Sequence, residues 1–407
     1  MRIVLTGGGS GGHIVPLLAV AHELKQLRPD CETIYIGQKG DSLADIPAND
    51  PSIDKVYTVR AGKLRRYHGE GLKQLLDLDT GAKNVRDVGF TVTGMAQSYR
   101  LLRKLRPDVV FVKGGFVGVP VGLAAAALKI PYITHDSDAL PGLANRIIAR
   151  WARWHAVGLP KEIYSYPPSN TVTVGVPISR EFRERDQAEI MALKEKLGFP
   201  ADSKVICITG GGLGAARLND AIVRTSGELL ADPQVVLAHL TGRNHEKQVS
   251  QQYDELLTDT ARARVEVVGY TTKLFEYSAV ADVVVTRAGG TSIAEFTAQG
   301  KACVVVPNPL LTGGHQSKNA QALAERQAVR IVEETEIKQD PRNLSTAVQS
   351  LLDDPAMRIA LGQKLHQLAR PDAAKRLAML LLEQVPDTAG KDKQKTLETD
   401  NETPRTS

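Results

Sequence analysis

The chain has 407 residues, of which 42% are hydrophobic and 24% charged, so it can form two globular domains and is neither disordered nor fibrous. Its net charge of +5 is too small to indicate nucleic-acid binding, but it suits an anionic membrane face or a phosphate-bearing substrate. Cys31, Cys207 and Cys303 are widely spaced beside apolar runs, which predicts reduced core residues and a cytosolic setting. Neither a signal peptide nor a spanning apolar stretch of about 18 residues is visible, so we expect a soluble or peripheral protein.

The first half of the chain alternates short apolar runs with helical patterns. Strands are predicted at residues 2–6, 33–37, 108–113 and 132–135, and helices at 16–27, 94–105 and 119–128. This alternation predicts a parallel sheet covered by helices on both faces.

The pattern then restarts in the second half. Strands are predicted at residues 205–209, 235–241, 265–268, 283–286 and 302–306, and helices from about 215 and at 292–298, 316–325 and 372–383. We therefore expect an N-terminal domain over residues 1–177, joined at a Gly-x-Pro turn to a C-terminal domain over 178–370. A C-terminal helix in 371–386 and a disordered polar tail over 387–407 complete the predicted organisation.

A glycine-rich loop follows the first predicted strand. Residues 7–13 read Gly-Gly-Gly-Ser-Gly-Gly-His, a pattern that lets backbone N–H groups approach a phosphate at a helix N-terminus. A dinucleotide site would need an acidic residue about 20 positions on, at the end of the second strand. That strand ends in Tyr-Ile-Gly-Gln at 35–38, which disfavours a dinucleotide.

A second glycine loop, at residues 210–215, lies between the first strand and the first helix of the second half. For either loop alone, the glycines could serve only to permit tight turns. Two such loops at matching places instead predict a cleft between two sheets, in which one loop holds a diphosphate and the other a second anionic substrate.

Residues 7–16 resemble the G-G-x-x-G-G-H-x-x-P loop of the MurG family, the UDP-N-acetylglucosamine transferases that make lipid II. The resemblance continues in the family's order through residues 62–67, 113–117, 135–138, 141–145, 175–177, 210–215, 287–295 and 315–320. It implies an α/β fold of the GT-B type, with two Rossmann-like, doubly wound parallel-sheet domains, an interdomain cleft and a C-terminal helix crossing back to the first domain. The implied reaction is inverting transfer of N-acetylglucosamine to the muramyl 4-hydroxyl of lipid I, in peptidoglycan synthesis, cell-wall biogenesis, cell shape and cell division.

The reaction so implied needs a base for the acceptor hydroxyl. His13 is the candidate, because the positive end of the helix that follows disfavours imidazolium and keeps the ring neutral. His13 could instead order the loop or bind substrate. Asp138 or Asp136 could be the base or could orient it.

The resemblance also implies a set of donor contacts. Glu295 is expected to accept hydrogen bonds from both ribose hydroxyls, although it could merely stabilise its helix. His315 and Gln316 are placed against the donor sugar, and Arg287 is expected to be structural. The remaining expected donor contacts are Ser10, Gly11, Gly12, Asn145, Ser179, Arg180, Gly211, Gly212, Gly214, Tyr270 and Leu274.

Three positions depart from the family's pattern. Gly212 stands where serine is frequent, Ser179 and then Arg180 stand where the family has an arginine, and Asp136 stands where glutamate is common. These departures keep a catalytically inactive UDP-sugar-binding protein among the alternatives. The other two are a GT-B transferase with a different lipid acceptor and a UDP-sugar epimerase of similar fold.

A basic cluster of Lys63, Arg65 and Arg66 beside Tyr67 could be a solvated loop or, with Gly9, an acceptor and membrane site. Each basic residue near an anionic surface adds about 1 kcal/mol. We expect a peripheral enzyme on the cytoplasmic face of the membrane, with UDP-N-acetylglucosamine, lipid I and cell-wall synthesis proteins as partners and no nucleic acid. Metal-ligand spacing is absent from the sequence, so no metal and no cofactor are predicted, and a divalent ion arriving with the nucleotide stays open.

Overall fold

The computed structural model describes residues 1–62, 78–212, 214–309 and 314–385, without the side chains of 78–86. The predicted basic cluster of Lys63, Arg65, Arg66 and Tyr67 lies outside the described residues, as does the predicted tail. Among the described helices, none is both long and apolar enough to cross a membrane.

The first domain is built on a parallel sheet with the strand order β3-β2-β1-β4-β5-β6-β7. The strands are β1 (Arg2–Thr6), β2 (Glu32–Gln38), β3 (Lys55–Val59), β4 (Val109–Val112), β5 (Tyr132–Asp136), β6 (Trp154–Val157) and β7 (Thr171–Thr173). Its helices are α1 (Gly11–Leu27), α2 (Asp45–Ala48), α3 (Leu78–Leu105), α4 (Gly118–Ala127) and α5 (Leu143–Ile148). Strand β1 pairs with both β2 and β4, so the winding reverses there and opens a crevice at the carboxyl ends of β1 and β4.

The second domain repeats this plan with the strand order β10-β9-β8-β11-β12-β13, again parallel. The strands are β8 (Lys204–Thr209), β9 (Val235–Leu240), β10 (Val265–Val268), β11 (Val283–Thr286), β12 (Cys303–Val305) and β13 (Arg330–Ile331). Its helices are α6 (Gln187–Lys196), α7 (Ala216–Leu229), α8 (Glu246–Leu256), α9 (Asp259–Arg262), α10 (Leu274–Ala279), α11 (Gly290–Ala298), α12 (His315–Ala324), α13 (Glu334–Gln339), α14 (Arg342–Asp353), α15 (Pro355–His366) and α16 (Ala373–Leu382). Two doubly wound parallel sheets confirm the predicted fold class.

Helix α1 begins at Gly11, ahead of the predicted start at Pro16, because the glycine loop itself turns into the helix. Pro16 has no N–H, so the carbonyl of Gly12 lacks the partner that an i+4 residue would supply. Thr291 Oγ1 of the second domain donates to that carbonyl at 3.4 Å. The proline therefore leaves an acceptor at the cleft that the other domain uses.

Helix α3 begins at Leu78 instead of the predicted Gly94. Gly94 does not limit the helix, since its lack of a side chain permits close packing. A Cβ atom at this position would lie 1.9 Å from the carbonyl oxygen of Arg60. The helix therefore packs directly against the backbone that follows β3.

Helix α16 packs on the first domain, although the chain reaches it from the second. Leu377 and Leu381 are fully buried in one cluster with Leu17 and Leu24 of α1. Cys31, Cys207 and Cys303 are free and buried, which confirms their prediction as core residues.

Candidate active site

A cleft of about 1020 Å³ separates the two sheets at the carboxyl ends of their strands. Both glycine loops line this one cavity, so two helix N-termini, those of α1 and α7, flank the same space. The predicted site residues that line it are Ser10, Gly11, Gly12, His13, Asp138, Asn145, Gly211, Gly212, Gly214, His315 and Gln316.

The first glycine loop is fastened to the strands around it. Gly9 has φ +79°, and a Cβ atom there would lie 2.7 Å from the ring of Phe116, so only glycine fits. Its N–H donates to Asp41 Oδ2 at 2.9 Å, and Tyr35 Oη donates to the carbonyl of Gly7 at 2.6 Å. These contacts fix the conformation of the loop, and Gly9 is required for that conformation.

His13 lies in the first turn of α1, on the wall of the cleft. Its Nδ1 atom is 2.9 Å from Ser10 Oγ, which fixes the plane of the ring. Burial and, after it, the nearby Lys113 charge lower the pKa of His13 to about 4, against the opposing charge of Asp138. The imidazole is neutral at pH 7 and can accept a proton.

Asp138 joins the two domains across the cleft. Its Oδ1 atom accepts hydrogen bonds from Asn319 Nδ2 at 2.8 Å and from the N–H of Gly290, the first residue of α11, at 3.2 Å. Asn319 Oδ1 in turn accepts from the N–H of Ala139 at 3.2 Å. In this conformation the carboxylate of the first domain is bound to a helix N-terminus of the second.

Asp136 is buried in the wall of the first domain. Its carboxylate accepts from the N–H of Gly142 at 3.0 Å, from Asn145 Nδ2 at 3.0 Å and from Tyr166 Oη at 2.8 Å. Burial raises the pKa of Asp136 despite these donors. Asn145 also donates to the carbonyl of His135 at 2.9 Å, so the pair braces the end of β5.

The second glycine loop carries an aromatic side chain above it. Gly214 has φ +77°, and a Cβ atom there would meet the carbonyl oxygen of Thr241 at 2.2 Å. The ring of Tyr270 lies 3.5 Å from the position that a Gly212 Cβ would take. The guanidinium of Arg243 stacks on Tyr270 at 4.4 Å from the ring centre and pairs with Asp45 of the first domain at 2.9 Å.

Glu295 is 5% exposed on α11, and burial raises the pKa of its carboxyl to about 8. Burial raises the pKa of the nearby Tyr270 phenol, and the charge of Glu295 adds to that rise. A buried carboxyl of this kind is typical of a functional site, because desolvation is tolerated where a ligand completes the environment. Its predicted contact with the ribose stays a prediction.

His315 and Gln316 open α12 at the cleft. Gln316 Oε1 accepts from the N–H of Asn308 at 2.9 Å, which leaves its amide nitrogen as a donor. Five cleft residues hold a buried polar atom with no hydrogen-bond partner in the described part of the chain: His135 Nδ1, Ser137 Oγ, Asn145 Oδ1, His315 Nδ1 and Glu334 Oε1. The last of these forms an ion pair with Arg287 Nη2 at 2.6 Å. Such atoms indicate a place where a polar ligand or water binds.

Six of the predicted site residues do not line this cleft in the described part of the chain: Gly9, Ser179, Arg180, Tyr270, Leu274 and Glu295. Arg180 instead forms a two-point ion pair with Glu23 of α1, through Nε and, at 2.6 Å, through Nη2. Glu23 is 4% exposed, so this pair fixes the start of the second domain against the first. Ser179 Oγ accepts from the N–H of Glu181 at 3.3 Å, and Leu274 packs in an apolar cluster with Ile178.

Four charged residues at the cleft have no role in the sequence-based site. Lys113 follows β4 at the crevice and is 4% exposed, and Arg217, Arg287 and Glu334 form an ion cluster beside the second loop. Lys113 and Arg287 belong to segments that resemble the family, which is the one signal that singles them out. Arg217 and Glu334 are far apart in sequence, so only the folded sheet brings them together. Within the described ranges no three His, Cys, Asp or Glu side chains group as metal ligands, and the prediction of no metal stays a prediction.

Two Rossmann-like sheets that share one cleft, with a glycine loop on each side, define the GT-B class of α/β proteins. Residues 3–157 match the glycosyltransferase family 28 N-terminal domain, and residues 205–377 match the family 28 C-terminal domain. The chain is 31% identical over 395 residues to the UDP-N-acetylglucosamine–N-acetylmuramyl-(pentapeptide) pyrophosphoryl-undecaprenol N-acetylglucosamine transferase of Limosilactobacillus fermentum, covering 95% of this chain and 99% of that one. It therefore belongs to the MurG family of glycosyltransferase family 28.

Two solved structures show the same fold. MurG of Acinetobacter baumannii superposes with a TM-score of 0.66 at 23% identity, covering 94% of this chain and 99% of that chain. A UDP-GlcNAc 2-epimerase from Neisseria meningitidis, bound to UDP-GlcNAc, gives 0.60 at 14% identity, covering 94% and 100%. The fold alone thus accommodates both transferases and epimerases.

Proposed function

We propose that this chain transfers N-acetylglucosamine, with inversion, from UDP-N-acetylglucosamine to the muramyl 4-hydroxyl of lipid I, forming lipid II. The observation that carries the proposal is the single cleft into which both glycine loops and His13 face. Its two anion-binding helix ends suit two phosphate-bearing substrates, a nucleotide sugar and a lipid diphosphate. The names of the relatives agree with this reaction.

In the proposed reaction His13 is the base. With its hydrogen on Nδ1, facing Ser10 Oγ, the ring keeps a lone pair on Nε2 that takes the proton of the acceptor hydroxyl. The hydroxyl oxygen bonds to C1 of the sugar as the bond from C1 to the diphosphate oxygen breaks, and UDP leaves with that electron pair. The second glycine loop and the N-terminus of α7 stabilise the leaving charge.

The donor is proposed to lie along the second domain. Glu295 binds the ribose, Tyr270 lies beside the base, and Gly211, Gly212 and Gly214 surround the phosphates. His315 and Gln316 bind the sugar, and the buried His315 Nδ1 without a partner among the described residues supports this placement. Asp138 closes over the site from the first domain.

A peripheral position on the cytoplasmic face of the membrane is part of the proposal. Val88 and Val92 on α3 and Trp151 after α5 are apolar side chains of the first domain that are 51%, 61% and 53% exposed, and the two valines also line the cleft. Exposed apolar side chains on a mildly basic protein suit a lipid surface. Cell-wall synthesis proteins stay proposed partners, and neither a cofactor nor nucleic acid enters the proposal.

The test is a transfer assay with labelled UDP-N-acetylglucosamine and lipid I in lipid vesicles, run with and without the acceptor. With the wild-type enzyme, we expect label in the lipid fraction only when lipid I is present. Without lipid I, the UDP-N-acetylglucosamine should be recovered unchanged. Conversion of the donor without acceptor would establish an epimerase. Donor binding without any product would establish an inactive binding protein.

A further inference from the structure

We propose that Arg217 binds the diphosphate of the donor nucleotide. This inference rests on the proposed function, because it assigns a ligand group to a residue of the same cleft. It begins with the charges that face the cavity. In the described part of the cleft the lysine and arginine side chains are those of Lys113, Arg217 and Arg287.

These three cations differ in accessibility. Lys113 is 4% exposed and lies on the first domain, and the side chain of Arg287 is 9% exposed. The side chain of Arg217 is 48% exposed, on the second residue of α7 and immediately after the second glycine loop. Arg217 is thus the cation that a ligand at this loop can reach.

Glu334 holds the Arg217 guanidinium in place. Arg217 Nη1 donates to Glu334 Oε2 at 2.6 Å, while Arg287 Nη2 lies 2.6 Å from Glu334 Oε1. Arg287 is itself anchored, since its Nη1 donates to the carbonyl of Val306 at 3.1 Å. One buried carboxylate is shared between two guanidinium groups, so the cluster keeps a net charge of about +1 beside the loop.

This arrangement suits a diphosphate better than a neutral group. An arginine has five N–H donors in a planar fork, and the bond to Glu334 uses one of its two terminal nitrogens. The rest of the fork can donate to phosphate oxygens with two-point geometry. A cation fixed before binding also stabilises the charge that develops as UDP leaves.

The test compares nucleotides that differ in phosphate number. Uridine, UMP, UDP and UDP-N-acetylglucosamine are titrated by calorimetry into wild type, Arg217→Met, Arg217→Lys and Arg224→Met. Arg224 is the matched control, because it lies on the same helix, is 65% exposed and pairs with Asp220. Thermal unfolding of each variant verifies that it is folded.

We expect Arg217→Met to weaken UDP and UDP-N-acetylglucosamine by about 10- to 100-fold, the range for a hydrogen bond to a charged group, and uridine hardly at all. Arg217→Lys should fall between, and Arg224→Met should match wild type. A folded Arg217→Met protein with unchanged UDP affinity overturns the inference and leaves the proposed function standing. If Arg217→Met loses as much affinity for uridine as for UDP, the inference is also overturned, because Arg217 then has a structural role. Absence of any nucleotide binding by the wild type overturns both.

Discussion

Asp138 Oδ1 of the first domain accepts a 2.8 Å hydrogen bond from Asn319 Nδ2 of the second. The same oxygen accepts from the N–H of Gly290 at 3.2 Å, so one carboxylate links two elements of the opposite domain. These hydrogen bonds join the two walls of the cleft, and we expect the cleft to open more readily when they are weakened.

Placing a second carboxylate opposite Asp138 should open the cleft. Asn319→Asp is nearly isosteric, but it places two carboxylates at hydrogen-bonding distance, and like charges there repel. We expect a larger radius of gyration in small-angle scattering and a KM for UDP-N-acetylglucosamine raised by roughly 10-fold, the cost of about 1.4 kcal/mol.

The exchanged double variant Asp138→Asn with Asn319→Asp separates closure from chemistry. It restores one amide and one carboxylate at the joint, so the scattering profile should return toward that of wild type. If Asp138 also takes part in the reaction, kcat stays low in the exchanged pair. An Asn319→Asp protein with an unchanged radius and KM would show that the joint does not govern closure.

His13→Asn should lower kcat by about 10²- to 10⁴-fold, the usual contribution of a general base, and leave donor affinity close to wild type. Single-turnover transfer and calorimetry measure the two effects separately. Because the pKa of His13 is about 4, wild-type kcat, measured at saturating donor, should hold steady as pH falls from 8 toward 5. Near-normal turnover of His13→Asn would remove this residue from catalysis.

The charge of Lys113 is one cause of that low pKa, after burial. Lys113→Met should therefore raise the pKa of His13 and move the acid limb of kcat, measured at saturating donor, to higher pH. An unmoved limb in a folded Lys113→Met protein would mean that the limb belongs to another group.

The sheets and loops were accessible from sequence because each depends on local pattern. Buried parallel strands read as apolar runs, and the glycine loops between strand and helix mark the crevice of each domain. Short edge strands such as β7 (Thr171–Thr173) were missed, since three residues carry no periodicity.

The joints between domains could not be predicted in this way. Arg180 was expected at the donor diphosphate, but Glu23 lies on α1, 157 positions earlier, and only tertiary packing brings that carboxylate to it. The donor role of Arg180 stays a prediction, because its guanidinium pairs with Glu23 in the structure. Glu334 and Arg217, 117 positions apart, meet only at the edge of the folded sheet.

Glu295 should make donor affinity pH-dependent. Burial raises the pKa of its carboxyl to about 8, so the group is largely protonated at pH 7 in the free protein. The ionised form accepts from both ribose hydroxyls, so binding favours proton release, and affinity for UDP-N-acetylglucosamine should rise with pH up to about 8 and then level off. Calorimetry between pH 6 and 8.5 should give a slope for wild type and none for Glu295→Gln.

The same shift has a consequence of opposite sign for stability. A carboxyl whose pKa is higher in the folded state than in the unfolded state stabilises the fold at low pH, and that contribution is lost as pH rises through about 8. As pH rises from 6 to 8.5, the free energy of unfolding of Glu295→Gln should therefore fall less than that of wild type, as measured by denaturant titration. If the free energy of unfolding varied with pH in the same way in both proteins, the Glu295 carboxyl would not be protonated in the fold.

Gly212→Ser tests whether the serine frequent in the family can be restored at this loop. Gly212 is not among the residues with positive φ, and a Cβ atom would make an ordinary 3.5 Å contact with Tyr270, so a serine fits. Its hydroxyl adds one donor at the phosphates, and we expect the KM for UDP-N-acetylglucosamine to fall by about 2- to 10-fold with the melting temperature unchanged.

Gly211→Ser is the matched control, because Gly211 has φ +84° and a side chain there costs roughly 1–2 kcal/mol. That variant should melt at a lower temperature and gain no affinity. Equal behaviour of the two variants would show that the loop adapts, and that backbone N–H groups alone bind the diphosphate at this point.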